Sequence, residues 1–241
     1  MSRSTTISPH LPHTDAVPAP RSALLTRFRG LGAGLFRSWW NIQMSGVENL
    51  PSGPVILAPN HVGVIDGPLV VTMTPRTTFA LAKSELFTGA VGHGLELIGQ
   101  IPIARHYVDT TAMRRGVRVL RDGHALAIFP EGVRARGDFG QMRHGVAYLA
   151  MVTGAPIVPV ALLGTRTGSM SVKDMPARGA TLHVDYGQPI RIAQQPWPRP
   201  QEVVRERAEF LRKQFAAHVE RAQQRTGVLL PEANRELVAA A

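Results

Sequence analysis

From Pro54 onward, short apolar runs alternate with longer segments of helical period, and that alternation leaves few folds open. Strand-length runs fall at 55–58, 78–82, 101–103, 125–129, 157–163 and 181–186. Helical patterns fall at 68–73, 88–98, 110–121, 144–153 and 201–224. The last is the clearest, with Val204, Ala208, Leu211, Phe215 and Val219 forming one stripe among charged residues. The pattern predicts a single α/β domain over 44–226, with a mixed, largely parallel sheet flanked by helices. No internal repeat occurs, and the proline-rich "AQQPWPRP" connects into the last helix. Hydrophobic residues make up 44% of the chain, enough to build a core of that size.

Ahead of the domain, residues 21–43 form a segment of different character. Leu24, Phe28, Leu31, Leu35 and Trp39 recur at helical spacing, Arg27, Arg29 and Arg37 interleave with them, and no acid occurs between Asp15 and Glu48. This is the composition of an amphipathic helix lying in a membrane interface. It also fits an ordinary helix packed on the domain. Gly30, Gly32 and Gly34 weaken its middle, so the segment is expected either as one amphipathic helix or as a helix pair. Residues 1–20, rich in Ser, Thr and Pro and without the apolar stretch of a secretory signal, read as a disordered tail. Residues 227–241 read as a C-terminal tail. No apolar run approaches the roughly 18 residues of a spanning helix.

The formal net charge is +10, and most of the excess is arginine, since lysine occurs only at Lys83, Lys173 and Lys213. Such a field attracts nucleic acid, anionic lipid or phosphorylated substrates. The basic residues are dispersed, aromatic residues are only 6%, and no recognition-helix pattern is present, so a nucleic-acid partner is not expected. There is no cysteine, which excludes disulfides, thiolate metal sites and a cysteine nucleophile, and fits a reducing cytoplasm.

In open α/β sheets, functional groups gather at the carboxyl ends of strands. "PVILA" runs into Asn60-His61, with Asp66 five residues after the histidine. A histidine oriented by a carboxylate is the minimal general base, and Gly63 and Gly67 let the turn bring the two together. The same pair fits a structural histidine beside a helix start. Arg105 ends the short strand of "IGQIPIARH", where a solvated arginine is equally at home. "AIFPEGVRARGDF" turns at Pro130 and Gly132 and exposes Glu131 and Arg134, either as a polar loop or as a bidentate phosphate grip. "APIVPVAL" reads as core strand interrupted by Pro159.

In their order and spacing, "NHVGVID", "GQIPIAR", "FPEGVRA" and "VPVAL" together resemble the glycerolipid acyltransferase family, and within it the 1-acyl-glycerol-3-phosphate acyltransferases. The approach "VENLPSGPVILAPNH" is similar too, and the resemblance runs from Gly46 to Ile190. It implies that His61 is the catalytic base, that Asp66 orients it, and that Arg105, Glu131, Gly132 and Arg134 bind the substrate phosphate together with Lys83 of "KSELF". It assigns Pro159 to the acyl-donor side. It also implies lysophosphatidic acid as acceptor and acyl-CoA or acyl carrier protein as co-substrate, with no other cofactor and no metal. The expected place is the cytoplasmic face of the membrane, against an anionic lipid surface. The chain departs from the family pattern at Val133 and Ala135, where Thr and Ser are usual, and at Gly63, where Ser is frequent. Those departures leave other acceptors open, among them glycerol-3-phosphate, a lyso-ornithine lipid or another lysophospholipid. Outside this class, the charge alone would suit a non-catalytic basic protein that binds membrane or nucleic acid.

Overall fold

The computed structural model describes residues 14, 16–21 and 23–231. Seven strands form one sheet: β1 (Asn41–Ser45), β2 (Val55–Pro59), β3 (Thr78–Lys83), β4 (Ile101–Ile103), β5 (Ala125–Ala127), β6 (Ile157–Leu163) and β7 (Thr181–Tyr186). Their order is β1-β7-β6-β2-β5-β3-β4. β2 to β6 run parallel, while β7 is antiparallel to β6 and β1 pairs parallel with β7. β2 and β6 are buried along their whole length, which is why they appear in the sequence as unbroken apolar runs. Among the described residues, six α-helices flank the sheet: α1 (Ala23–Trp39), α2 (Asp66–Met73), α3 (Gly89–Leu97), α4 (Thr110–Arg121), α5 (Gly145–Thr153) and α6 (Gln201–Thr226). α1 packs on α2, and α4, α5 and α6 lie side by side, with α6 against β6. The predicted stripe of α6 is buried in full, joined by His218 and Ala222.

Because five neighbouring strands share one direction, the carboxyl ends of β2, β3, β4, β5 and β6 open on the same edge of the sheet. Pro159 sits inside β6 without breaking it. Its carbonyl accepts the Gly187 N–H at 2.9 Å, next to the Val160–Tyr186 pair of the β6–β7 ladder, so the pairing continues there without a donor from the proline.

Of the two forms expected for the N-terminal segment, α1 is the single continuous helix, and Gly32 lets it approach Thr72 of α2 closely. Three expectations need correction. The interfacial segment ends before Asn41, because 41–45 is an edge strand whose few apolar residues, Ile42 and Met44, gave too weak a signal. The N-terminal tail does not extend to residue 20. Thr14 is buried, and Arg118 of α4 donates to the carbonyls of Thr14 and Val17. The C-terminal segment does not come loose at Gly227, since Val228 and Leu230 pack on the core and the Leu230 N–H donates to Gln223 at 2.8 Å. Residues 1–13 and 232–241 of the two expected tails lie outside the described residues.

Candidate active site

The chain leaves β2 through Asn60, which is fully buried. Its side-chain carbonyl accepts from the Leu162 N–H at 2.7 Å, and its amide donates to the Leu162 carbonyl at 3.1 Å. Asn60 thus completes the edge of β6 and sets the point where the next residue turns out of the sheet. That residue is His61. Its Nδ1 lies 2.9 Å from Asp66 Oδ2, and its side chain keeps 17% exposure. Asp66 is the first residue of α2 and is fully buried. The same Oδ2 accepts the N–H groups of Val62 and Gly63, each at 2.7 Å. Three donors and the positive end of a helix therefore converge on one carboxylate oxygen. A carboxylate only accepts, so the neutral ring carries its proton on Nδ1 and presents Nε2 as an acceptor. Nε2 has no partner among the described residues. The Phe129 ring covers the imidazole, with centroids 4.3 Å apart. β5 stops at Ala127 rather than Phe129, which frees that ring to do so.

Glu131 faces inward. It is 7% exposed, Oε2 accepts the His61 N–H at 2.7 Å, and Oε1 accepts the Phe139 N–H at 3.3 Å. Burial pushes its carboxyl up to about 7, against the pull of these backbone donors. The Ala135 N–H donates to the His61 carbonyl at 2.9 Å, so the loop after β5 holds His61 through both of its peptide groups.

Gly132 adopts a left-handed φ of 70°, and its N–H donates to the Phe129 carbonyl. Its own carbonyl accepts from Arg105. A Cβ at this position would fall 2.5 Å from Arg143 Nε, because the Arg143 side chain crosses directly over it. Arg143 in turn donates to the Arg105 carbonyl at 3.0 Å. Arg105 Nε is buried without a partner among the described residues. Arg105, Arg134 and Arg143 form no ion pair among the described residues. Arginines left without an ion pair at the carboxyl edge of a parallel sheet are electrostatically suited to a phosphate.

The structure brings His61, Asp66 and Glu131 into one hydrogen-bonded group, and Arg105, Gly132 and Arg143 into another. Lys83 ends β3 at the same edge and pairs with Glu85 at 2.9 Å, and this hydrogen bond holds the exposed Glu85 carboxyl down to about 2. Pro159 lies within the sheet opposite Ala58, and its ring is turned towards Gly187, beside His218 of α6. Sequence reading missed Asn60, Phe129 and Arg143. Asn60 and Phe129 flank motif residues and gave no separate signal, and Arg143 stands alone beyond the motif. Gly63 has a physical reason to be glycine here: a Cβ would fall 2.8 Å from the Thr165 carbonyl.

The acyltransferase family model matches residues 41–163, and the chain belongs to that family. More particularly, it is similar to proteins named 1-acyl-sn-glycerol-3-phosphate acyltransferase. The one from Bacillus subtilis is 29% identical over 155 residues, 63% of this chain and 75% of the relative. The one from Borreliella burgdorferi is 35% identical over 130 residues, 52% of each chain. A chloroplastic relative from Brassica napus is 28% identical over 135 residues, and the match spans 53% of this chain but only 38% of that longer protein. Among solved structures, the 1-acyl-sn-glycerophosphate acyltransferase of Thermotoga maritima superposes with a TM-score of 0.61 at 20% identity, over 83% of this chain and 80% of that one, a likeness of fold.

Proposed function

We propose that this chain transfers an acyl group from an acyl thioester, carried on CoA or on acyl carrier protein, to the free hydroxyl of 1-acyl-glycerol-3-phosphate, giving phosphatidic acid. The observation that carries the reading is the His61–Asp66 pair, with Nε2 open, at the same sheet edge as Arg105 and Arg143, which are linked through backbone carbonyls and form no ion pair among the described residues. Nε2 takes the proton of the acceptor hydroxyl as its oxygen attacks the thioester carbonyl. The tetrahedral intermediate collapses with loss of the thiolate, which recovers the proton from the imidazolium. Asp66 holds the tautomer and offsets the positive charge that forms. Arg105 and Arg134 grip the phosphate and so fix the hydroxyl against base and thioester in one geometry. Glu131 and Gly132 serve this grip indirectly, Glu131 by holding the His61 peptide and Gly132 by seating Arg105 and Arg143. Lys83 reaches the same phosphate by exchanging Glu85 for it. The relatives named for this activity support the reading.

The test is acyl transfer from a long-chain acyl-CoA, and separately from acyl carrier protein, to a panel of lysophosphatidate, glycerol-3-phosphate, a lyso-ornithine lipid and lysophosphatidylcholine. Product with lysophosphatidate above the others is the expected result. A preference for an acceptor without a terminal phosphate would overturn the acceptor assignment. In the same assay Arg134→Gln should raise the KM for lysophosphatidate about tenfold to a hundredfold, the range for losing one charged hydrogen bond, with kcat little changed. An unchanged KM would remove Arg134 from the phosphate site.

We further propose that α1 rests on an anionic membrane surface. The exposure of its apolar stripe supports this reading over that of an ordinary helix packed on the domain. Leu25, Ala33 and the partly buried Phe36 turn inward, while Leu24, Phe28, Leu31, Leu35 and Trp39 stay exposed, Leu31 by 73% and Leu35 by 64%. Arg178 stacks over Trp39 at 5.1 Å, and no acid lies on the helix. No helix among the described residues is long and apolar enough to cross a membrane. Leu31→Glu with Leu35→Glu should weaken binding to phosphatidylglycerol-containing vesicles on the order of a hundredfold, because each leucine is worth about 1.5 kcal/mol or more when buried. Sedimentation with vesicles measures this, and undiminished binding would place the membrane contact elsewhere.

A further inference from the structure

We propose that Arg166, outside every motif considered above, is a positioning residue that locks the loop carrying His61 and Asp66 to the loops after β5 and β6. The proposal rests on the acyl-transfer reading of the same site. Arg166 lies three residues past the end of β6 and is 2% exposed, the largest side chain among the described residues to be so fully covered. Its guanidinium donates in three directions to three backbone carbonyls. Nε donates to Val62 at 2.7 Å, Nη2 to Ala135 at 2.5 Å, and Nη1 to Met170 at 3.3 Å. Val62 belongs to the loop after β2, Ala135 to the loop after β5, and Met170 to the loop of Arg166 itself.

These acceptors matter because of what else their peptides do. The Val62 N–H donates to Asp66 Oδ2, the oxygen that also receives His61 Nδ1. The Ala135 N–H donates to the His61 carbonyl. Arg166 therefore closes a ring that runs from His61 to Ala135, through the guanidinium, and back to Val62. Any shift of the ring alters the line between His61 and Asp66. The adjoining Thr165 carbonyl presses against Gly63 so closely that no side chain fits there, which seats the third loop on the first. Burial disfavours the charge on Arg166, and the nearby Asp66 carboxylate is the charge that opposes this. Only a planar fork with five N–H donors reaches three divergent carbonyls from one side chain. A lysine ammonium at the end of a flexible stem reaches one or two of them and leaves the rest unsatisfied.

The experiment compares wild type, Arg166→Lys and Arg166→Gln in three measurements: kcat and KM for lysophosphatidate and acyl-CoA, thermal unfolding, and the imidazole resonances of His61 in protein labelled with nitrogen-15 histidine. A positioning role predicts a kcat loss of about a hundredfold in Arg166→Lys, the cost of misplacing a reacting group by roughly an ångström, with both KM values within about threefold. It also predicts a displaced or broadened His61 Nδ1–H signal. In Arg166→Gly, added guanidinium should restore part of the lost kcat. If Arg166→Gln fails to fold, Arg166→Lys carries the comparison, because it keeps the charge and a donor. A folded Arg166→Lys with wild-type kcat and an unmoved His61 signal overturns the proposal, and so does a loss confined to KM. If wild type transfers no acyl group to any acceptor, it is the acyl-transfer reading that fails, and the His61 signal still decides whether Arg166 positions the pair.

Discussion

His61→Ala should lower acyl transfer by at least about a thousandfold, within the range for removing a positioned general base, while the protein stays folded and bound to vesicles. The fold should survive because the residue is held by its backbone. Its N–H is bonded to Glu131 and its carbonyl to Ala135, and neither bond involves the imidazole. Asp66 loses one of three donors to Oδ2 but keeps the Val62 and Gly63 N–H groups. The ring itself keeps 17% exposure, so its removal opens no sealed cavity. Steady-state transfer to lysophosphatidate, circular dichroism and vesicle sedimentation on one preparation measure the three quantities together. Turnover within tenfold of wild type would show that Nε2 takes no proton in the slow step.

The second large effect should come from Glu131→Gln, and it should move activity and stability in different ways. Gln keeps one carbonyl oxygen for the two N–H groups that Glu131 now satisfies, those of His61 and Phe139. His61 should lose its fixed position, and kcat should fall by roughly tenfold to a hundredfold. Stability follows from the titration. The folded carboxyl is raised to about 7 from an unfolded value of 4.5, so the folded state binds the extra proton between those values. The contribution of Glu131 to stability is therefore fully present below pH 4.5 and is lost as pH rises through 7, by on the order of 3 kcal/mol in all. Gln does not titrate. The stability of Glu131→Gln relative to wild type should consequently rise between pH 4.5 and pH 8. His218 works the other way, since burial lowers it below 6.5 and its contribution is lost as pH falls, but it is common to both proteins and cancels in the difference. Urea unfolding of both proteins at the two pH values gives the result. A difference independent of pH would mean that Glu131 is ionised across the range, with its backbone donors outweighing burial.

Much of the fold and the core of the site can be read along the chain, for physical reasons. Parallel strands covered on both faces must be apolar throughout, so β2 and β6 stand out, and the alternation with amphipathic segments such as α6 implies an α/β sheet. In such a sheet the groups that follow strand ends share one edge, which makes His61, Asp66, Arg105 and Arg134 candidates before any coordinates exist. Edge strand β1 escaped because an exposed strand of five residues needs few apolar side chains. The N-terminal stripe could be found but not assigned, since an apolar face looks the same whether protein or lipid covers it. Its exposure in the folded chain, with a second face of α1 turned onto α2, is what supports the membrane proposal.

Side-chain direction is what a strand-and-loop reading lacks most. Glu131 sits in a motif beside arginines, yet it turns inward to the His61 peptide. Pro159 lies in the interior of its strand, and Lys83 finds Glu85. Arg166 and Arg143 gave no signal at all. Their partners are backbone carbonyls, Val62 lies 104 residues from Arg166, and carbonyls have no side-chain identity to read. The sequence by itself thus determined the sheet, its active edge and the chemical groups available there. The tertiary structure alone decided which of those groups stay open at that edge and which hold the others in place, because hydrogen bonds to the backbone between distant loops depend on geometry and not on residue type.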